Sequence, residues 1–207
     1  MEVVEIETAR GPARAQIELP ARSSGAAGAL ILGHGAGGGI QAKDLLVAAE
    51  AARGRGLAVV LVDQPYRVAG RKAPAPAPHL DQAWVAVVEH LRANHLRDHP
   101  LIVGGRSMGA RVACRTAAEV GAIGVLCLAF PERPPQRRGK SMPPSRQAEL
   151  DAVVVPTLVV QGIGDPFGMP RAGPSREIVK VAGNHSLTSD LDAVAAAVEE
   201  WLARVLP

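Results

Sequence analysis

The stretch Leu101-Ile102-Val103-Gly104-Gly105-Arg106-Ser107-Met108-Gly109-Ala110-Arg111 decides the fold. Its three leading apolar residues read as a buried strand. Val112, Ala113, Thr116 and Ala117 continue it as a helix with one apolar face. Between them stands Gly105-x-Ser107-x-Gly109, the nucleophile-elbow pattern in the context it requires: strand, tight turn, helix. Side chains at 105 and 109 would collide with neighbouring backbone in so sharp a turn, while Ser107 is held strained with its hydroxyl exposed. The helix N-terminus lends backbone N–H groups to developing negative charge. A serine that merely caps the helix is the bland alternative.

Working outward, Ala29–Leu32, Leu57–Val62, Val125–Leu128 and Thr157–Val160 are also continuous apolar runs. Strands of that kind are covered on both faces and belong in a parallel sheet. Nearer the start, Val3–Glu7 and Ala15–Leu19 mostly alternate around Gly11-Pro12, which predicts an antiparallel edge hairpin. Residues 80–97 carry Leu80, Trp84, Val87, Val88 and Leu91 on one helical stripe. Residues 190–206 do the same with Leu191, Val194, Val198, Leu202 and Val205, and Ser189 or Asp190 is a candidate N-cap. The alternation predicts a doubly wound, mostly parallel α/β sheet in a single domain over residues 1–207. Residues 69–78 and 131–148 stay irregular. Both follow strands at their C-terminal ends, so they are candidate walls of a site.

Composition narrows the function classes. The 207 residues, 47% hydrophobic, are enough for a buried core, which excludes wholesale disorder. At 2% aromatic content there is little material for base-stacking platforms. The net charge of +3 comes from one segment, residues 131–148, where Arg133, Arg137, Arg138, Lys140 and Arg146 face only Glu132. A single basic loop argues against nucleic acid as a partner. Cys114 and Cys127 form neither a disulfide framework nor metal spacing and read as small buried residues. The acidic, alternating start and the lack of an apolar run near ~18 residues predict a cytoplasmic protein that does not enter membranes.

A serine hydroxyl needs a base. Of six histidines, His185 stands out: it follows the strand Glu177–Val181 in the loop Ala182-Gly183-Asn184-His185-Ser186, over the sheet edge that carries the elbow. His79, His90, His95 and His99 surround one helix or its ends. On a regular helix His90 and His95 point about 140° apart, so a metal cluster is not expected. The base needs a carboxylate to fix its tautomer, and Asp165 follows Thr157–Val160 at the same edge. Ser107, Asp165 and His185 thus make a candidate triad of nucleophile, acid and base. An oxyanion hole is expected from the N–H groups of Met108 and Ala36, with Gly35 the neighbouring choice, in the loop Gly33-His34-Gly35-Ala36-Gly37-Gly38-Gly39. His34 is expected to brace that loop. His34, Tyr66, Phe130 and Phe167 are candidate site walls. The last three each follow a strand at this edge, so the scarce aromatics are expected around the site and not in the core. Gly33-x-Gly35-x-x-Gly38 also matches a dinucleotide fingerprint, but Asp63 lies late for the ribose contact and that reading leaves Ser107, Asp165 and His185 unused.

His34-Gly35-Ala36-Gly37-Gly38, Gly104 to Gly109, Gln161-Gly162 through Asp165-Pro166-Phe167-Gly168 and Asn184-His185-Ser186-Leu187 together resemble the small uncapped α/β-hydrolases. Within these, the chain resembles bacterial counterparts of the testis-expressed protein 30 family, distantly related to dienelactone hydrolases. The resemblance runs from about residue 25 to the end. It implies an α/β-hydrolase fold without a cap domain, Ser107 as nucleophile, Asp165 as acid, His185 as base, and no cofactor. Dienelactone hydrolases carry cysteine where this chain has Ser107, so their substrate does not transfer. Asn184 stands where relatives often have Asp. The resulting expectation is a carboxylesterase-like serine hydrolase acting on a small ester or thioester, with anionic acyl substrates preferred because of the basic segment. A non-catalytic binding module on the same fold is the alternative.

Overall fold

The computed structural model describes residues 1–20, 26–97, 99–136, 138–139 and 141–206. Strand β1 (Glu2–Ile6) pairs antiparallel with β2 (Ala13–Glu18), which runs antiparallel to β4 (Ala58–Asp63). Then β3 (Ala29–Gly33), β5 (Leu101–Arg106), β6 (Gly124–Leu128), β7 (Thr157–Gly162) and β8 (Arg176–Val181) follow in parallel. The sheet order is β1-β2-β4-β3-β5-β6-β7-β8. The crossing between β3, β4 and β5 is a topological switch, where such sheets open a ligand crevice at the strand C-termini.

Burial follows the strand type. Every residue of β3, β6 and β7 is buried, as expected of strands covered on both faces. Strand β2 alternates, with Ala13, Ala15 and Ile17 inward, because it forms the hairpin margin of the sheet. Helices α3 (Ala77–Leu91) and α4 (Met108–Thr116) close one face around Trp84, Val87 and Val112. Helices α1 (Lys43–Gly54) and α6 (Leu191–Val205) close the other around Leu45, Ala48, Val198 and Trp201. Asp190 caps α6, its carboxylate accepting from the Ala193 N–H at 3.1 Å. Two short helices, α2 (Pro65–Val68) and α5 (Gln147–Asp151), lie within or beside the segments read as irregular. Among the described residues, no helix is long and apolar enough to cross a membrane.

Two expectations change. The helix over 80–97 is α3 to Leu91, then a π turn over Arg92–Leu96. The wider i to i+5 step brings His90 and His95 to one side, with ring centroids 6.1 Å apart, instead of diverging by 140°. The aromatics are not gathered at the site: Trp84, Trp201 and Phe130 are buried in the core. A thin sheet–helix interface needs large side chains, and three of the five aromatics fill it. Finally, Arg137 and Lys140 of the basic segment lie outside the described residues.

Candidate active site

Ser107 sits at the junction of β5 and α4 with φ 53° and ψ −105°. A non-glycine residue pays for positive φ, and the surroundings enforce it here. The Ser107 N–H donates to Leu128 O of β6 at 2.9 Å, and its carbonyl accepts from the Arg111 N–H at 3.2 Å. Space is the second constraint. A Cβ at Gly105 or Gly109 would strike the Gly33 carbonyl oxygen, so α4 approaches β3 this closely only with glycine at both positions.

His185 faces the elbow. Its Nε2 lies 2.9 Å from Ser107 Oγ and its Nδ1 lies 2.8 Å from Asp165 Oδ2. A carboxylate only accepts, so Nδ1 carries the proton and the serine hydroxyl donates to Nε2. The Asp165 side chain is 1% exposed and is further held. The Phe167 N–H donates to Oδ1 at 2.8 Å, and Gln161 Nε2 donates to Oδ2 at 2.8 Å. Gln161 Nε2 also lies 3.1 Å from Phe130 O and 2.9 Å from Gly168 O. The Phe167 ring packs on the imidazole with centroids 4.3 Å apart. At the end of β7, a Cβ on Gly162 would come within 2.5 Å of Asn184 O, so glycine there lets the histidine loop close onto the sheet.

The loop after β3 is pinned from below. Gln64 N–H donates to His34 Nε2 at 3.1 Å, which leaves the proton on Nδ1, and Nδ1 donates to Gly35 O at 2.8 Å. Burial lowers the pKa of this fully enclosed imidazole, against smaller raising effects from the Gly35 carbonyl and Asp63. His34 is therefore a neutral strut; Asp63, 3.9 Å from Nε2, makes no ion pair with it. Tyr66 Oη donates to Ala36 O at 3.0 Å and lies 3.9 Å from Met108 Sδ. Burial pushes its phenol up to about 12. Met108 is the first residue of α4, so its N–H has no acceptor within the helix.

Arg106 joins the parts. Its Nε donates to Asp44 Oδ2 at 2.8 Å and its Nη2 to His185 O at 2.9 Å. A Cβ on Gly35 would lie 2.9 Å from its Nη1. Asp44, 1% exposed, anchors this from α1; burial raises its pKa despite the arginine. One guanidinium at the end of β5 thus reaches α1, the histidine loop and the loop after β3.

Ser107, His185 and Asp165 are brought together with Phe167 against the histidine, and Tyr66 Oη stands between Ala36 O and Met108, the residue after Ser107. Two proposed walls are corrected. Phe130 is 0% exposed and packs in the core, offering the site only its backbone carbonyl. His34 is also 0% exposed and lies beneath the loop. Tyr66 is 5% exposed and mostly a brace for Ala36. The basic segment does flank Phe167, whose carbonyl accepts from the Arg133 N–H at 2.8 Å. Its charge is partly used internally: Arg133 Nε lies 3.6 Å from Glu132, and Arg146 donates to Pro131 O at 3.2 Å. Sequence reading missed Arg106, Asp44 and Gln161. The position of Arg106 between the elbow glycine and serine, and of Gln161 four residues before Asp165, were the available signals.

The family described as alpha/beta hydrolase domain matches residues 26–190. None of the curated proteins compared with the chain matches it. Among solved structures, XC6422 from Xanthomonas campestris, a serine hydrolase without a lid, is 22% identical with TM-score 0.77, covering 100% of this chain and 95% of that one. Est1E from Butyrivibrio proteoclasticus is 15% identical with TM-score 0.79, covering 99% of each chain. Dienelactone hydrolase from Anabaena variabilis is 19% identical with TM-score 0.75, covering 100% of this chain and 98% of that one. These likenesses concern the fold, and the family match covers well over half of the sequence. The chain belongs to the alpha/beta hydrolase domain family.

Proposed function

We propose that this hydrolase-fold protein is a serine hydrolase cleaving a small ester or thioester through an acyl-enzyme. The observation that carries the reading is the unbroken hydrogen-bonded chain from Ser107 Oγ through His185 to buried Asp165, built on a strained elbow. In this reading His185 Nε2 takes the serine proton as Oγ attacks the acyl carbonyl, and Asp165 stabilises the imidazolium that forms. The Met108 and Ala36 N–H groups, with Gly35 adjacent, hold the oxyanion. His185 then protonates the departing alcohol or thiol, and afterwards activates water to release the acid. No step calls for a cofactor. The narrower kinship with bacterial relatives of testis-expressed protein 30 belongs to the same proposal.

The test is turnover of short p-nitrophenyl esters by wild type and Ser107→Ala. The variant is expected to keep its fold by circular dichroism and to lose at least about 10³-fold in rate. Turnover within a few-fold of wild type would overturn the mechanism.

A further inference from the structure

A cavity of about 420 Å³ lies at the same sheet edge on the far side of Tyr66, walled by the β1–β2 connection, the segment after β4 and the start of α3. Arg14 pairs with Asp63 in the sheet, which sets the β1–β2 connection beside the C-terminal end of β4. Among the described residues, the basic residues Arg10, Arg71 and His79 line the cavity and no carboxylate does. Arg10 is oriented by Nε donating to Gln82 Oε1 at 2.7 Å. Arg71 is tied by its backbone N–H to Tyr66 O at 2.9 Å, while its guanidinium has no partner among the described residues. An arginine fork without an acceptor suits a carboxylate or phosphate, which it meets with paired N–H groups.

Gln64 closes the inner wall. Gln64 is 3% exposed and spends its Nε2 on Leu80 O at 3.2 Å, which fixes the amide orientation. Its Oε1 is then buried with no hydrogen-bond partner. That oxygen is sealed behind the wall and offers a ligand no acceptor. Apolar wall is supplied by Ala75 and the Tyr66 ring.

We propose that this cavity is a binding site for a small organic anion, a carboxylate or phosphate on a short body. The site is separate from the Ser107 constellation but shares Tyr66 with it, since the Tyr66 hydroxyl holds Ala36 O. Such an anion has two sources: the far end of the substrate itself, or a free metabolite.

Calorimetric titration with malate, a hydroxylated dicarboxylate, tests the site on the full chain. Wild type and Ser107→Ala are expected to bind it alike. Arg71→Ala, which removes no internal contact, is expected to weaken binding about tenfold. Ala75→Trp, which fills the cavity, is expected to abolish it while fluorophosphonate labelling of Ser107 continues. Binding unchanged in both variants, or no binding to wild type, overturns the proposal. Failure of the serine to label would refute the hydrolase reading and leave the titration result standing. The sources separate kinetically: malate competing only with carboxylate-bearing esters marks the substrate's own tail, whereas malate altering turnover of neutral esters as well marks a free metabolite.

Discussion

Arg106 illustrates what single residues contribute beyond the three proposed to do chemistry. It neutralises Asp44, which is 1% exposed, and holds the carbonyl of His185. Arg106→Ala strands a buried carboxylate and is expected to cost about 3–5 kcal/mol, measured by denaturant unfolding. Arg106→Lys keeps the charge but not the forked geometry. It is expected to stay folded and lower kcat by about 10- to 100-fold with little change in KM, because the histidine is displaced and the substrate contacts are not. Equal kcat in the lysine variant would remove Arg106 from the positioning role. His34 gives a pH signature. Its pKa is lowered in the fold, so the unfolded chain binds the proton more readily; the stability it contributes is full above the usual value near 6.5 and falls as pH drops below it. The fall in Tm between pH 6.5 and 5 is therefore expected to be shallower in His34→Gln than in wild type. At this scale Ser107, Asp165 and His185 were legible because each follows a strand at one sheet edge. Arg106 and Gln161 were less so: their places beside Ser107 and Asp165 single them out, but their partners Asp44, His185 and Phe130 lie 62, 79 and 31 residues away in the chain. Phe130 misled for a related reason: its position after β6 is at the site, but its side chain turns into the core.

Among the elements, the close crossing of α4 over β3 fixes where the serine stands. Gly109→Ala puts a methyl group against the Gly33 carbonyl oxygen. Overpacking of this kind costs about 1–3 kcal/mol, which for a chain of this size lowers Tm by roughly 2–12 °C. Gly54, in the last turn of α1, is the control, since a Cβ there meets nothing within 4 Å. Gly54→Ala is expected to raise Tm by about 1–4 °C through the helix preference and the stiffer unfolded chain. Differential scanning calorimetry of both variants checks the contrast; a destabilised Gly54→Ala beside a neutral Gly109→Ala would contradict it. The strands were readable because continuous apolar runs have one stable home, a sheet covered on both faces. The π turn at Arg92–Leu96 was not, because periodicity counts residues per turn and cannot register a local change in hydrogen-bond step.

For the whole molecule, Trp84 and Trp201 lie in the two cores on opposite faces of the sheet. If residues 1–207 form one cooperative unit, Trp84→Phe and Trp201→Phe leave fluorophores whose unfolding midpoints coincide with that seen by circular dichroism for the same variant. Separate midpoints would divide the chain into independent layers. The mostly parallel sheet, its antiparallel hairpin margin and the helices covering both faces follow from the sequence pattern, whereas the order of the strands does not. The basic surface did not follow as expected: charge counted along residues 131–148 is partly spent on Glu132 and Pro131, while the cavity beside Tyr66 draws Arg10 and Arg71 from distant segments. The proposed hydrolysis rests on activation of Ser107 by His185 and Asp165. Fluorophosphonate labelling of the folded protein, with the adduct mapped by peptide mass spectrometry, tests it most directly. One adduct is expected, on Ser107, lost in Ser107→Ala and strongly slowed in His185→Ala. An unlabelled Ser107, or labelling that is indifferent to His185, would contradict it.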